Sequence, residues 1–138
     1  MSLDVKELIP QREPFLFVDK IIERQEGEVD KIITSYQVTG EEDFFKGHFP
    51  GNPVMPGVLL QEAIFQSGAC LMASGSESGL GVVAKVSNAK FKNMVRPGDE
   101  LIMEVELLDQ LANGYFFKGR TKVNGKTVLA IEFTCAKV

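Results

Sequence analysis

Residues 56–74, PGVLLQEAIFQSGACLMAS, carry one charged side chain, Glu62, and place apolar residues on every side of a helical wheel. A helix lying on a surface shows one apolar stripe opposite a polar one; a helix apolar all round must be covered all round. Pro56 suits its first turn, and Gly75 suits its exit. The rest of the chain has to supply the cover. Residues 16–24, 29–38, about 80–92, 99–111, 115–123 and 127–137 are rich in β-branched and aromatic residues and read as strands. Residues 3–9 read as a short helix stopped by Pro10, and 39–55 as a loop with one helical turn at EEDFF. RPGD (96–99), LANG (111–114) and VNGK (123–126) are turns, the last an Asn-Gly hairpin signal. The expected class is α+β, with about six mostly antiparallel strands curled round one helix. One small sheet cannot enclose such a helix, whereas two chains side by side can, so the pattern already points to a dimer.

The chain has 138 residues, without a repeat or a linker-like shift in composition, and reads as a single domain over 1–138. A net charge of -4 argues against a broad nucleic-acid surface. No apolar run approaches the roughly 18 residues of a membrane span, and MSLDVKELIP lacks the apolar core of a signal peptide, so a cytoplasmic location is expected. Cys70 and Cys135, far apart in sequence, read as two reduced, buried thiols. One histidine and two scattered cysteines make no metal site.

Immediately before the helix, Gly47–Gly57 (GHFPGNPVMPG) holds three glycines, three prolines and the only histidine, His48. Such a loop has little conformational freedom. It serves either as a tight connection into the helix or as the frame of a site. Histidine is the usual general acid or base near neutral pH. Glu62 and Gln66, four apart, share a helix face amid apolar neighbours. They form either a structural hydrogen-bonded pair or a buried acid with its partner, because an unpaired buried carboxylate is costly. Gly57 falls in the first turn, where N–H groups lack intrahelical partners and the helix dipole favours negative charge. A base, an acid and an oxyanion site together suit proton abstraction beside a carbonyl with loss of a β-substituent. The chain contains no G-x-S-x-G, phosphate-binding loop or dinucleotide fingerprint.

The run His48-Phe49-Pro50-Gly51-Asn52-Pro53-Val54-Met55-Pro56-Gly57-Val58-Leu59, followed by Glu62-Ala63 and Gln66, resembles the FabZ-type 3-hydroxyacyl-(acyl-carrier-protein) dehydratases of bacterial fatty-acid synthesis. Ile9-Pro10-Gln11-Arg12-Glu13-Pro14-Phe15-Leu16-Phe17-Val18-Asp19 resembles the family's N-terminal signature, and Phe91 with Arg96-Pro97-Gly98-Asp99 a later one. Gln11 stands where these chains commonly have histidine.

The resemblance implies a hotdog fold, a curved antiparallel sheet around a long central helix. It implies dimers whose sheets join, assembled as trimers of dimers, with each site shared between two chains. His48 would be the base at C2, Glu62 would serve the C3 hydroxyl, Gly57 N–H would polarise the thioester carbonyl, and Gln66 would orient Glu62. Glutamate rather than aspartate at 62 favours plain dehydration over the isomerising FabA type. The substrate would be an acyl chain on the phosphopantetheine arm of acyl carrier protein, with no cofactor. Met55, Leu59, Phe65 and Phe91 are tunnel candidates. Strand alternation would put Lys90, Lys92 and Arg96 on one face, suited to an acidic carrier, with Arg12 and Lys46 next in line. The competing readings are another hotdog enzyme acting on acyl thioesters, either an isomerising dehydratase or a thioesterase, and a non-catalytic acyl-binding domain.

Overall fold

The computed structural model of the chain describes residues 3–73 and 81–138. Helix α1 (Val5–Leu8) leads to strands β1 (Lys20–Gln25) and β2 (Asp30–Gln37). A 3-10 turn (Asp43–Lys46) precedes the long helix α2 (Gly57–Ala73). Strands β3 (Gly81–Phe91), β4 (Glu100–Leu111), β5 (Gly114–Val123) and β6 (Lys126–Lys137) complete the fold. The six strands form one antiparallel sheet in the order β1-β2-β4-β5-β6-β3.

β4, β5 and β6 form a meander because their connections are tight turns; at VNGK, Asn124 (φ 50°) and Gly125 (φ 79°) take the paired left-handed conformation that matches strand twist. β3 follows the helix and pairs with β6 at the far edge. Helix α2 therefore crosses the sheet, packing on β2 through β6, and the sheet curls round it as in a hotdog. Alternate residues point inward: Ile32 and Thr34, Leu101, Met103 and Val105, Phe117, and Leu129, Ile131 and Phe133 are buried against Leu60, Ala63, Ile64 and Leu71. Each large side chain so buried contributes about 1.5–3 kcal/mol. Two of the buried hydroxyls pair between helix and sheet, whereas that of buried Thr121 has no hydrogen-bond partner. Ser67 donates to the Ala63 carbonyl (2.9 Å), so Thr34 donates to Ser67 Oγ (2.7 Å).

Three expectations change. Residues 16–19 lie outside β1, because the backbone of Phe15 and Phe17 is bonded to the side chain of Gln66 rather than to a neighbouring strand. Pro56 caps α2 rather than lying within it, its carbonyl accepting from Leu59 (3.0 Å) and Leu60 (3.1 Å). β3 ends at Phe91, so Arg96 does not continue the face that Lys90 occupies. The helix exit expected at Gly75 lies outside the described residues.

One stripe of α2 remains uncovered by its own chain: Val58 is 70% exposed, and Leu59, Glu62, Phe65 and Ala69 are half-buried. Edge strand β3 likewise exposes Val82, Val83 and Val86.

Candidate active site

The Gly47–Gly57 loop is a miniature ladder. Phe49 and Asn52 exchange backbone hydrogen bonds (3.1 and 2.8 Å) around Gly51, whose φ of 76° suits glycine, and Val54 N–H donates to the His48 carbonyl (3.0 Å). His48 is thereby held opposite Val54, with Nδ1 2.7 Å from the Val54 carbonyl oxygen. A carbonyl only accepts, so Nδ1 carries the proton and the neutral ring's free lone pair is on Nε2. The half-buried imidazole stacks on the Phe49 ring at 4.0 Å between centroids. The base of the loop is tied down where Met55 N–H donates to the carbonyl of buried Val95 (2.8 Å).

Gly57 opens α2, so its N–H has no intrahelical acceptor. The Phe91 ring lies against it: a Cβ built at Gly57 would sit 3.0 Å from Phe91 Cε1. The structure thus brings Gly57 and Phe91 together from distant parts of the sequence.

Glu62 lies on the uncovered stripe. Burial raises its pKa above the ordinary carboxylate value, and the hydrogen bond from Gln66 pulls it partly back. Gln66 is 1% exposed and uses its whole amide. Oε1 accepts from Phe17 N–H (2.8 Å), while Nε2 donates to the Phe15 carbonyl (3.0 Å) and to Glu62 Oε2 (3.0 Å). The N-terminal segment therefore sets Gln66, and Gln66 sets Glu62. Among the described residues, no hydrogen bond or ring contact joins His48 to Glu62 within the chain.

The tunnel candidates separate. Met55 is 2% exposed and belongs to the core. Leu59 and Phe65 are half-buried on the stripe beside Glu62, Phe65 packing on Phe133 at 5.0 Å between centroids. Phe91 is half-exposed over Gly57.

The docking candidates separate as well. Lys90 and Lys92 line an open groove of about 480 Å³ on the outer face of the sheet with Lys118 and Arg120 of β5, and Glu104, Glu106 and Glu132 line it too, Lys118 lying 3.8 Å from Glu106. Strand register produces this grouping, since Arg120 pairs with Ala130 and Ala130 with Lys90. The sequence signal for Arg120 was the alternation of Lys118, Arg120 and Lys122 on β5, which acquires meaning only once β5 is placed two strands from β3. Arg96 is elsewhere, bonded to Asn52 and Pro53. Arg12 is occupied with the carbonyls of Lys6, Ile9 and Gln11, and Lys46 pairs with Asp43.

Cys70 and Cys135 are free and buried, and burial pushes both thiols up to about 12. No cluster of potential metal ligands occurs among the described residues. No described helix is long and apolar enough to cross a membrane.

Residues 9–132 match the FabA-like domain family. A Halalkalibacterium halodurans protein named 3-hydroxyacyl-(acyl-carrier-protein) dehydratase FabZ is 45% identical over 129 residues, covering 91% of this chain and 89% of that protein. An Enterococcus faecalis protein of the same name is 43% identical over 133 residues, covering 95% and 93%. In three dimensions the chain is similar to the dehydratase heterocomplex ApeI:P from Xenorhabdus doucetiae, with a TM-score of 0.83 over 100% of this chain and 93% of that one. At 14% identity that likeness speaks for the hotdog fold alone.

Proposed function

Since the chain belongs to the FabA-like domain family, we propose that it is a hydro-lyase converting 3-hydroxyacyl-(acyl-carrier-protein) to the trans-2-enoyl thioester in fatty-acid synthesis. The carrying observation is a desolvated carboxyl, Glu62, held by Gln66 on the one helix stripe its own chain leaves open. Nε2 of His48 removes a C2 proton. The electron pair forms the C2–C3 double bond, and the C3 hydroxyl departs as water with the Glu62 proton. Gly57 N–H takes the charge that develops on the thioester oxygen. His48 ends protonated and Glu62 ionised, and solvent exchange restores both. The raised pKa of Glu62 suits an acid, and the Gln66 bond to Oε2 steadies the carboxylate it becomes. Glutamate at 62 favours plain dehydration over the isomerising variant.

The site is shared between two copies. β3 is an unpaired edge carrying exposed Val82, Val83 and Val86, whereas solitary edges are normally guarded by charge. Joining two β3 edges would extend the sheet and cover the open stripes of both helices, setting His48 of one copy beside Glu62 of the other. Three such dimers form the hexamer. Leu59, Phe65 and Phe91 line the acyl channel, no cofactor takes part, and the enzyme works in the cytoplasm. The acidic carrier docks on the outer face at Lys90, Lys92 and Arg120.

The test is incubation with a 3-hydroxyacyl thioester while enoyl absorbance is followed. Conjugated product supports dehydration; free thiol would mean a thioesterase, a non-conjugated enoyl product an isomerising enzyme, and no turnover a binding module. Inactive His48→Ala and inactive Glu62→Gln subunits, mixed, should regain activity, because some mixed dimers hold one intact site. Absence of recovery despite verified subunit exchange would place the site within one chain.

A further inference from the structure

The tip of the His48 loop, Phe49 to Asn52, is exposed. Its backbone bonds are internal: Phe49 with Asn52, and His48 with Val54. Among the described residues, one side chain from elsewhere is hydrogen-bonded to this loop. Arg96 Nη1 donates to Asn52 Oδ1 (2.8 Å) and to the Pro53 carbonyl (3.3 Å). The turn that presents Arg96 is firmly held. Arg96 N–H donates to Asp99 Oδ2 (2.9 Å), and Asp99 N–H returns to the Arg96 carbonyl (3.1 Å). Gly98 N–H donates to the Val38 carbonyl (2.8 Å), and Val38 N–H donates to the Asp99 carbonyl (2.9 Å). Gln37 Nε2 adds donations to the Gly98 and Asp99 carbonyls (3.2 and 3.3 Å). The guanidinium thus projects over the loop from a base fastened to the end of β2.

We propose that Arg96 is a positioning residue for His48, bracing Asn52 and Pro53 so that the imidazole stays against the adjoining Val54 carbonyl, which receives its Nδ1–H. The guanidinium pins the Pro53 carbonyl, one peptide before the carbonyl that selects the ring tautomer. The N–H of that same peptide, Val54's, donates to the His48 carbonyl (3.0 Å), so His48 and Arg96 hold it at its two ends. Without Arg96, the hydrogen bond that remains between the loop and the body among the described residues is Met55 N–H to the Val95 carbonyl, on the peptide that carries the Val54 carbonyl. The Val54 carbonyl keeps that anchor, but the Asn52–Pro53 edge of the ladder can then shift, and His48 is held less firmly against the carbonyl that receives its Nδ1–H. The proposal rests on His48 being the base, and it gives Arg96 a different task from contact with the carrier.

The chain has a single histidine, so ¹⁵N-imidazole NMR reads His48 without assignment. In the full-length protein the ring should show the Nδ1-protonated tautomer in one environment. Arg96→Ala should broaden or split that signal. It should lower kcat roughly three- to tenfold, the size of a lost ordinary hydrogen bond, equally on carrier-bound substrate and on a short thioester mimic. KM for the carrier substrate should stay within about twofold, as expected when only a transition-state contribution is lost. Asn52→Ala should act in the same direction, and the double variant should be no worse than the more impaired single one, because both remove one interaction. An unchanged imidazole spectrum with unchanged kcat overturns the proposal. So does a loss confined to KM for the carrier, which would make Arg96 a docking residue, and so does full additivity in the cycle. Should His48→Ala retain activity, the base assignment fails, while the imidazole spectrum still tests the brace itself.

Discussion

Replacing Gly57 by alanine and by proline separates the two properties the structure gives this position. Alanine keeps the N–H and adds a methyl; proline keeps a comparable bulk and removes the N–H. A Cβ at 57 would lie 3.0 Å from Phe91 Cε1 and 3.4 Å from Cδ1 and Cζ, so the ring must give way by a few tenths of an ångström. Phe91 is 50% exposed at the end of an edge strand, so that movement is cheap. Against it stands a gain of about 0.4–1 kcal/mol from the smaller entropy of the unfolded chain. Alanine should therefore change stability by less than about 1 kcal/mol, a shift of no more than about 4 °C in Tm. Proline should behave similarly: it is favoured at the first position of a helix, and the extended conformation it demands of the preceding residue is the usual one for a cap such as Pro56. The functional outcome should differ sharply. Loss of one oxyanion donor costs about 10²–10³ in kcat, so the proline variant should turn over a short thioester mimic roughly that much more slowly than the alanine variant. Enoyl absorbance measures the rate and thermal unfolding the stability. Equal rates for the two variants would refute the role of the Gly57 N–H. A fall in Tm beyond about 10 °C would refute the packing argument.

Gln66→Leu strands the Phe17 N–H and the Phe15 carbonyl at a site 1% exposed, which should cost about 2–4 kcal/mol and be visible in urea unfolding; an unchanged midpoint would contradict it. The same variant removes the donor that lowers the Glu62 pKa, so the alkaline limb of the rate profile should move to higher pH, and movement to lower pH would reverse the assignment of cause. Because burial raises the Glu62 pKa in the folded state, its contribution to stability is complete below the ordinary carboxylate value and is lost as pH rises through the raised one. Glu62→Gln should accordingly gain stability relative to the unmodified chain between pH 4 and pH 7, and a constant difference across that range would show that Glu62 is not desolvated. Changing Lys90, Lys92 and Arg120 together to glutamate should slow turnover of carrier-bound substrate but hardly that of the short mimic. Added salt should reduce the carrier-dependent rate, since exposed charges are screened over about 10 Å at 0.1 M; equal losses on both substrates would point to damage to the fold.

The regular elements were legible in the sequence because their signals are local. Alternation placed β4, β5 and β6 within a residue of their observed ends, Asn124-Gly125 set the last hairpin, and the all-round apolar run from Val58 to Met72 required a helix inside a curved sheet. The residues proposed for the chemistry were legible as candidates too, since His48, Gly57, Glu62 and Gln66 sit in one short, constrained stretch. Periodicity, however, says nothing about which distant partner satisfies a given backbone or side-chain group. Residues 16–19 have strand-like composition, yet the Phe15 and Phe17 backbone is bonded to Gln66, which takes up hydrogen bonds that a strand would have given a neighbour. Arg96 follows Lys90 and Lys92 at alternate positions, yet the chain leaves the sheet after Phe91, and the turn tied to Val38 sends the guanidinium to Asn52. Arg120 reaches Lys90 only because β3, although it precedes β4, pairs with β6. Each of these pairings closes a loop of tens of residues, and its free energy depends on which buried groups would otherwise be left without partners. That balance is struck across the whole packed structure, so it is the tertiary fold that decides which cations face outward together and what holds the one imidazole in place.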